Sequence, residues 1–328
     1  MESGNGTADS NFPWRSQFMP PFHEMLGRLL LFANSPLPDP NPRENFPGGE
    51  VRRLAVLERT YPEDYEATDS LSDWEAEPVR IQCHEKKHLS PADAWKLLCD
   101  SANLSEDIRA RREKVYSVTR GCNLFNVAFA VYLLRGLGEW AGVFADSPGD
   151  VLDPCAGWGD RLGAAFISKA RSYVGWDTNP ALQPVYAALA SRYEQAGLTL
   201  TWRVSCEPFE TASKEEFSTG FDTVIVSPPF FDKEIYGGPQ TSTNKYAKVD
   251  RWYKAFYQPL WERAAYALRP GGRVIAYIAP GRMFKEADTV LTKAGLIYVG
   301  SVGFLQTIEG KKAQTSSIRD AYIWRLEF

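Results

Sequence analysis

The sequence predicts an α/β protein with a mostly parallel sheet, helices on both faces of that sheet, and a mostly helical N-terminal region. From about residue 122 onward, short apolar segments alternate with helical ones, which is typical of a parallel sheet. A turn of small residues, Cys155–Gly159, joins one predicted strand directly to a helix. The last two apolar segments are linked by the polar stretch TIEGKKAQTSSIRD without a helix, so they should form an antiparallel edge.

Seven strands are predicted from short apolar segments bounded by turn residues. Between the fourth and fifth strands, apolar residues recur every four positions from Trp252 to Leu268, which predicts one amphipathic helix ending at the sequence RPGG. The predicted strands are Asp150–Leu152, Ser172–Trp176, Thr199–Val204, Thr223–Val226, Arg273–Ile278, Ile297–Phe304 and Ala321–Leu326.

The N-terminal third has a different composition. Residues 1–50 are rich in Pro, Asn and Gly, and we expect irregular, partly mobile structure there with one amphipathic helix around Pro21–Ala33. Residues 51–118 predict a helical accessory region, because Ser90 before Pro91 is a helix start and SEDIRARREKVYS opens a further helix. Residues 119–328 then form the α/β domain, beginning with the apolar helix NVAFAVYLLRGL.

Composition limits the class of protein. The chain has 328 residues, of which 44% are hydrophobic, enough for one large core and a smaller accessory unit. No apolar run approaches the roughly 20 residues of a membrane helix, and Leu29–Ala33 is too short for a signal-peptide core. We therefore expect a soluble intracellular protein without a membrane partner, in the cytoplasm or, in a eukaryotic host, the nucleus.

The cysteines and the charges give two further expectations. Five widely spaced cysteines without a C-x-x-C pair (Cys83, Cys99, Cys122, Cys155 and Cys206) predict reduced thiols rather than a disulfide framework or a zinc ribbon. The net charge is −4, divided into −6 for residues 1–118 and +2 for residues 119–328. A nucleic-acid partner is compatible with this balance, because a local basic face matters more than the total charge.

A candidate nucleotide-binding loop follows the first strand. Its sequence DPCAGWG, Asp153–Gly159, lets the backbone approach a ligand closely, and Asp177 at the end of the next strand can accept hydrogen bonds from both ribose hydroxyls. A dinucleotide site would prefer a third glycine where the chain has Leu162. The acid Asp153 would repel a pyrophosphate but would suit the cationic side of S-adenosylmethionine.

The sequence Ser227-Pro228-Pro229-Phe230 follows the fourth strand. The loop, the acid and this proline pair should therefore open on one edge of the sheet. The set resembles the class I S-adenosylmethionine-dependent methyltransferases, in the branch that methylates exocyclic amines of nucleobases. The extended SPPFFDKEIYGG, which includes Glu234, is similar to a phage, viral and bacterial subgroup. The resemblance covers about residues 119–328 and implies a Rossmann-like seven-stranded methyltransferase sheet with an antiparallel last strand.

The resemblance also implies a set of site residues. Ser227, Pro228, Pro229 and Phe230 would be catalytic, and Phe230, Phe231, Asp232 and Tyr236 would contact the substrate. Glu207, after the third strand, is the candidate for reading the adenine amine, and the segment before the loop would close over the methionine moiety. The implied cofactor contacts are Asn123, Phe125, Asn126, Asp153, Pro154, Cys155, Ala156, Gly157, Trp158, Gly159, Asp177, Thr178, Glu207 and Ser227.

The chemistry of an exocyclic amine explains these residue types. Its lone pair is delocalised into the ring, so hydrogen bonds from its N–H groups to the Ser227 side chain and the Pro228 carbonyl would favour a pyramidal, nucleophilic nitrogen. The prolines would hold those acceptors rigidly, and Phe230 and Phe231 would stack on a flipped or unpaired base. In this family, serine at the first position favours N4-cytosine slightly over N6-adenine, and DNA is the expected substrate. Neither a metal nor a covalent nucleophile is needed.

Alternative functions remain open within the same fold. Runner-up substrates are an RNA adenosine and a protein glutamine amide, and a catalytically inactive binding subunit is a third possibility. No target-recognition insert is visible between the motifs, so substrate specificity is predicted to come from the N-terminal third, the 232–250 loop or the 305–320 hairpin. The sequence gives no prediction of oligomeric state.

One motif predicts an unrelated chemistry. HEKKH, His84–His88, matches the H-E-x-x-H pattern of zinc proteases, which needs both histidines on one helical face and a third ligand. The nearby Pro91 and the scarcity of histidine, with only His23 elsewhere, favour a solvated polar turn instead.

Overall fold

The computed structural model describes residues 12–34, 53–57, 71–101, 107–135, 147–217, 220–231, 233–236, 238, 240–308 and 315–327. Its helices are α1 (Phe22–Asn34), α2 (Asp73–Arg80), α3 (Pro91–Ser101), α4 (Ile108–Val118), α5 (Val127–Arg135), α6 (Asp160–Ile167), α7 (Gln183–Gln195), α8 (Ser242–Lys245), α9 (Val249–Trp252), α10 (Gln258–Ala267) and α11 (Arg282–Lys293). Its strands are β1 (Arg53–Leu57), β2 (His84–Glu85), β3 (Asp150–Asp153), β4 (Ser172–Trp176), β5 (Thr201–Ser205), β6 (Phe221–Val226), β7 (Glu234–Ile235), β8 (Leu268–Tyr277), β9 (Leu296–Ile308) and β10 (Thr315–Leu326).

The main sheet has the predicted architecture. Its strand order is β1-β9-β10-β8-β6-β3-β4-β5, and the last strand, β10, runs antiparallel to both β8 and β9. The other neighbouring pairs in this sheet are parallel. The seven predicted strands thus form one sheet, with the last strand inserted between the fifth and the sixth.

Several boundaries differ from the prediction. An eighth strand, β1, pairs in parallel with β9 inside the region predicted to be helical, and it covers what would otherwise be an open sheet edge. The sequence RPGG lies within β8, because this strand begins at Leu268 beside β6. The β9–β10 hairpin is longer than predicted, since pairing continues as far as Ile308 with Thr315. Residues 309–314 lie outside the described part.

Both faces of the sheet are covered by apolar layers. All of β6 is buried, with Ile225 in one apolar cluster and Val224 and Val226 in the other, as the two-residue period of a strand requires. The predicted stripe from Trp252 packs on the second face, although a π-helical turn at Tyr253–Tyr257 interrupts the helix. Parallel strands buried on both faces explain the continuous apolar segments of the sequence.

The predicted N-terminal helices are present, with shifted ends. Helix α1 packs its apolar face into the same core as α5 and α6. Helix α3 begins at Pro91, and the Ser90 hydroxyl accepts a hydrogen bond from the Asp93 amide at 3.1 Å, as expected of an N-cap. Helix α4 begins at Ile108 rather than near Ser105, which lies outside the described residues. No helix in the described ranges is long and apolar enough to cross a membrane.

Candidate active site

The three predicted motifs meet at one edge of the sheet. Strand β3 lies between β4 and β6, and all three run in parallel, so the loops after them leave from neighbouring carboxyl ends. In an open α/β sheet this edge forms the ligand crevice. The arrangement brings the glycine loop, Asp177 and Ser227-Pro228-Pro229-Phe230 side by side, as the sequence predicts.

The loop after β3 depends on glycine at two positions. Gly157 and Gly159 have φ angles of +60° and +95°, which other residues rarely adopt. A Cβ at Gly159 would also lie 2.6 Å from Leu189 Cδ1 on α7, so this glycine permits close helix packing. Farther along α6, a Cβ at Gly163 would collide with the Tyr193 hydroxyl. Gly163, one position after Leu162, thus permits close packing of α6 against α7.

Asp177 is a half-buried acid at the carboxyl end of β4. One carboxylate oxygen accepts a hydrogen bond from the Gly157 amide at 3.0 Å, and the other accepts one from the Asn179 amide at 2.9 Å. Burial raises the pKa of Asp177 to about 6, against the effect of these two hydrogen bonds. Each oxygen keeps a second acceptor position, so the side chain can still bind two hydroxyl groups.

Asp153 has a different environment from the one predicted. Its carboxylate is fully buried and pairs with the Arg161 guanidinium, with Oδ2 at 2.7 Å from Nε. The Tyr173 hydroxyl donates to Oδ2 at 2.8 Å, and the Cys155 amide donates to Oδ1 at 3.2 Å. Asp153 therefore stabilises the loop from inside, and its charge is neutralised by Arg161. The predicted contact between the Asp153 carboxylate and a cationic cofactor has no exposed oxygen to support it.

The remaining backbone of the loop is also held from inside. Arg161 Nη2 donates to the Cys155 carbonyl, and the Tyr186 hydroxyl donates to the Gly157 carbonyl at 2.6 Å. Pro154 and Ala156 are buried, and Cys155 is half-buried. Burial raises the pKa of the Cys155 thiol well above its usual value, so this cysteine stays protonated.

The segment before the loop forms internal contacts. Asn126 Oδ1 accepts a hydrogen bond from the Phe129 amide at 2.9 Å and so caps α5. The Phe125 amide donates to Asp160 Oδ2 at 3.1 Å, and the Arg161 guanidinium lies over the Phe125 ring at 5.2 Å. These contacts fix the predicted segment against the start of α6, next to the glycine loop.

The proline pair presents one aromatic ring beside the crevice. Ser227 follows the buried β6 and is half-buried, Pro228 is buried, and Pro229 and Phe230 are half-buried. The Phe230 ring meets Tyr277 edge-on, with centroids 6.5 Å apart and planes at 84°. Phe230 thus has a partly accessible ring held from one side.

Phe231 is half-buried and packs against a different aromatic residue. Its ring packs edge-on against the fully buried Trp252, with centroids 5.7 Å apart. Its φ of +49° is unusual for a bulky residue, so the chain turns sharply directly after Phe230. Asp232, also predicted to contact substrate, lies outside the described residues.

Glu234 connects the segment that follows β6, residues 227–236, which we call the proline loop, to the segments that contain Asn123 and Trp158. Its buried carboxylate accepts hydrogen bonds from the Asn123 amide at 3.2 Å, from Asn123 Nδ2 at 3.1 Å and from the Tyr236 hydroxyl. The Tyr236 ring lies 6.3 Å from Trp158, and Trp158 Nε1 donates to the Asn123 carbonyl at 3.2 Å. These four residues, Asn123, Trp158, Glu234 and Tyr236, form the Glu234 network. The network joins three loops of the site.

HEKKH does not form a metal-binding helix. His84 and Glu85 are strand β2, which pairs antiparallel with β7 of the proline loop. The solvated polar turn expected there is confined to the residues that follow. Across the part of the chain that the structure describes, no group of three His, Cys, Asp or Glu side chains is arranged to hold a metal ion.

The other predicted residues lie at the same edge of the sheet. Thr178 is half-buried directly after Asp177. Glu207 is exposed beyond the end of β5, the strand next to β4.

Sequence reasoning left three site residues without a role. Arg161 could have been found, because it is a charged residue directly before the small and apolar run LGAAF, eight positions after Asp153. Glu234 was noted within the motif, but its partner Asn123 is 111 positions away. Tyr277 carries no signal, since an aromatic residue is ordinary in a strand.

Comparison with known proteins finds distant structural likenesses. No family model and no curated protein matches the chain. TrmN from Thermus thermophilus is 14% identical over 62% of this chain and 49% of its own, with a TM-score of 0.37. Precorrin-6y C5,15-methyltransferase from Geobacter metallireducens is 12% identical over 61% and 88%, with a TM-score of 0.38. An S-adenosylmethionine-dependent methyltransferase from Clostridium acetobutylicum is 13% identical over 55% and 85%, with a TM-score of 0.34. At these scores the likenesses carry no argument about the site.

Proposed function

We propose that this chain transfers a methyl group from S-adenosylmethionine to the exocyclic amine of a nucleobase, with DNA as the favoured substrate and cytosine N4 slightly favoured over adenine N6. The observation that carries the proposal is the alignment of three loops on the neighbouring strands β4, β3 and β6. They supply a ribose-binding acid, a glycine turn and a rigid Ser-Pro-Pro-Phe segment at one edge.

The residues of the crevice are compatible with an adenosine-type cofactor. Each oxygen of Asp177 uses one acceptor position for a backbone amide and keeps another, which matches the two hydroxyls of a ribose. Gly157 leaves the backbone beside Asp177 without a side chain. S-adenosylmethionine bound here would supply an electrophilic methyl group on a positively charged sulfur.

The protein side of the reaction is mainly the positioning of the amine. One N–H of the amine donates to the Ser227 hydroxyl oxygen and the other to the Pro228 carbonyl, which localises the lone pair on nitrogen. With S-adenosylmethionine bound, this nitrogen would take the methyl group, and the electron pair of the broken carbon–sulfur bond would remain on sulfur. The methylated nitrogen then loses one proton to water. Pro228 and Pro229 restrict the backbone, so little reorganisation is needed in the transition state.

Phe230 supports a base rather than a small or aliphatic substrate. Its ring is held edge-on by Tyr277 and is only half-buried, so one face can stack on a flat ring. A nucleobase offers such a ring together with an exocyclic amine, whereas a glutamine amide offers only the amine. An unpaired or flipped base would fill this position.

One experiment tests the proposal directly. The purified protein is incubated with methyl-labelled S-adenosylmethionine and either unmodified DNA or unmodified RNA, and the digested nucleosides are analysed by mass spectrometry. We expect label on an exocyclic amine of DNA, incorporated more slowly with Ser227→Ala. Label on RNA adenosine would replace DNA as the substrate. Cofactor binding without transfer to either nucleic acid would refute the base methyltransferase and favour a protein glutamine substrate or an inactive binding subunit.

A further inference from the structure

A surface of four cations lies beside the proline loop. Lys86, Lys87, Arg120 and Lys233 come from three segments and are all exposed. The Lys86 amide donates to the Lys233 carbonyl at 3.0 Å, and the Glu85 amide donates to the Arg120 carbonyl at 2.8 Å. We call Lys86, Lys87, Arg120 and Lys233 the basic patch. It contains both lysines of HEKKH, the motif that the proposed chemistry leaves unused.

The basic patch borders the stacking ring of the proposed site. The Lys233 amide donates to the Phe230 carbonyl at 3.2 Å, so the two residues belong to one tight turn. The Lys233 ammonium lies 5.9 Å from the centroid of the Phe230 ring. A phosphate group next to a base stacked on Phe230 would therefore be within reach of this lysine.

Nearby acids leave the patch positive. Glu85 is half-buried and faces Arg120 at 3.8 Å, and Arg120 keeps 64% of its side-chain surface exposed. The Glu234 carboxylate is buried and already accepts three hydrogen bonds, so it does not face the patch. Among the described residues of these segments, exposed positive charge thus exceeds negative charge.

We propose that the basic patch binds the phosphate backbone of the nucleic acid whose base stacks on Phe230. The inference rests on the proposed function and adds the surface that holds the rest of the substrate. Cations next to an aromatic platform are the combination by which proteins bind single-stranded nucleic acid. The pairing of β2 with β7 fixes Lys86 and Lys87 of the accessory region beside the catalytic loop. The accessory region therefore contributes to substrate binding without a target-recognition insert.

The test uses charge reversal on the full-length protein. Lys86→Glu/Lys87→Glu is compared with Lys169→Glu/Lys293→Glu, which makes the same change in net charge at exposed residues that precede β4 and β9 and so lie near the opposite edge of the sheet. Binding of fluorescent single- and double-stranded oligonucleotides is measured between 50 and 300 mM salt. Melting temperature and S-adenosylmethionine affinity are recorded for every variant.

We expect the patch variant to bind oligonucleotides about tenfold or more weakly near 0.1 M salt, and the slope of log K against log salt to become shallower by about 1.4–1.8 for two lost phosphate contacts. The control should retain wild-type binding. Equal losses of oligonucleotide affinity in both variants, or unchanged affinity in the patch variant, would overturn the inference. It would also be overturned if poly-glutamate bound to the patch as tightly as the oligonucleotide does. The patch variant could lose oligonucleotide binding selectively even though the wild-type protein methylates no nucleic acid. That result would support phosphate binding by the basic patch and refute the proposed methylation of a base.

Discussion

Asp177 gives the sharpest test of the cofactor site, because its ionisation should control binding within an accessible pH range. Burial holds its pKa at about 6, above the 3.8 of an exposed aspartate. Only the ionised carboxylate can accept from two backbone amides and two ribose hydroxyls together. The affinity for the cofactor should therefore reach its maximum above pH 7, where Asp177 is ionised, and decrease as the pH falls through 6.

The size of the effect follows from that pKa. If only the ionised form binds, the apparent Kd at pH 5 should be about tenfold higher than at pH 7, with about a twofold rise at pH 6. Asp177→Asn removes the charge permanently, and the loss of a charge-assisted hydrogen bond, roughly 1.5–3 kcal/mol, should raise Kd about tenfold to a hundredfold at pH 7. In that variant the affinity should be independent of pH between 5 and 7.

Titration calorimetry with S-adenosylmethionine measures these quantities. Repeating it in buffers of different ionisation enthalpy counts the protons released on binding, which should approach one per site at pH 5 and vanish at pH 7. Glu194→Gln removes an exposed carboxylate on α7 and serves as the matched control. Melting temperatures at each pH show that the protein remains folded.

Two results would refute this reasoning. A wild-type Kd that stays constant from pH 7 to pH 5 would mean that Asp177 does not bind the cofactor in its ionised form. If Asp177→Asn binds S-adenosylmethionine with wild-type affinity at pH 7, then Asp177 does not contribute to the cofactor site. The main support for an adenosine-type cofactor would then be lost.

Three further predictions concern the loops around the crevice. Phe230→Ala should fold and bind cofactor but lose about 1–3 kcal/mol of substrate stacking, and Ser227→Ala should lower turnover with little change in cofactor affinity. Arg161→Met should cost about 3–5 kcal/mol of unfolding free energy in urea titrations, because it leaves Asp153 buried without a counter-charge, and adding Asp153→Leu should restore part of that loss. Glu234→Gln should lower turnover by about tenfold, more than it lowers cofactor affinity, because an amide oxygen replaces two carboxylate oxygens that accept three hydrogen bonds.

The same measurements discriminate between a chemical and a merely structural role. Turnover, cofactor affinity and melting temperature are followed together for Phe230→Ala, Ser227→Ala and Glu234→Gln. If turnover falls only in proportion to the unfolded fraction, the proline loop has a structural role only, that of ending strand β6. An Arg161→Met protein as stable as wild type would show that the Asp153 ion pair contributes little.

Much of the fold could be predicted from local pattern. The alternation of short apolar segments with helical ones and the apolar stripe from Trp252 correctly indicate a sheet covered on both faces. Strand β1 escaped prediction, since its five residues pair with β9, hundreds of positions later in the chain. The helix end at RPGG was predicted correctly, since α10 ends at Ala267, but the single pair Leu268–Phe221 starts β8 before RPGG, and regular pairing with β6 resumes only at Arg273.

Some residues of the candidate site could likewise be predicted from local pattern, and others could not. Gly157, Gly159 and Asp177 could be recognised because a strand-to-helix turn and an acid at the end of the next strand have a fixed spacing. The inward orientation of Asp153 could not, since the same residue type in the same loop can face either a ligand or a buried arginine. Phe230 and Phe231 illustrate the point for the segment after β6, because these adjacent rings pack against different partners, Tyr277 and Trp252, that no local pattern indicates.

The sequence by itself determined the sheet, the glycine turn, the position of the acid and the type of side chain after β6, because each depends on residues within one or two elements. Only the tertiary structure decided that Glu234 binds Asn123, that Arg161 neutralises Asp153, and that HEKKH pairs with the proline loop. The physical reason is that strand order brings distant segments into contact, and their partners are selected by burial and hydrogen bonding that no local pattern records.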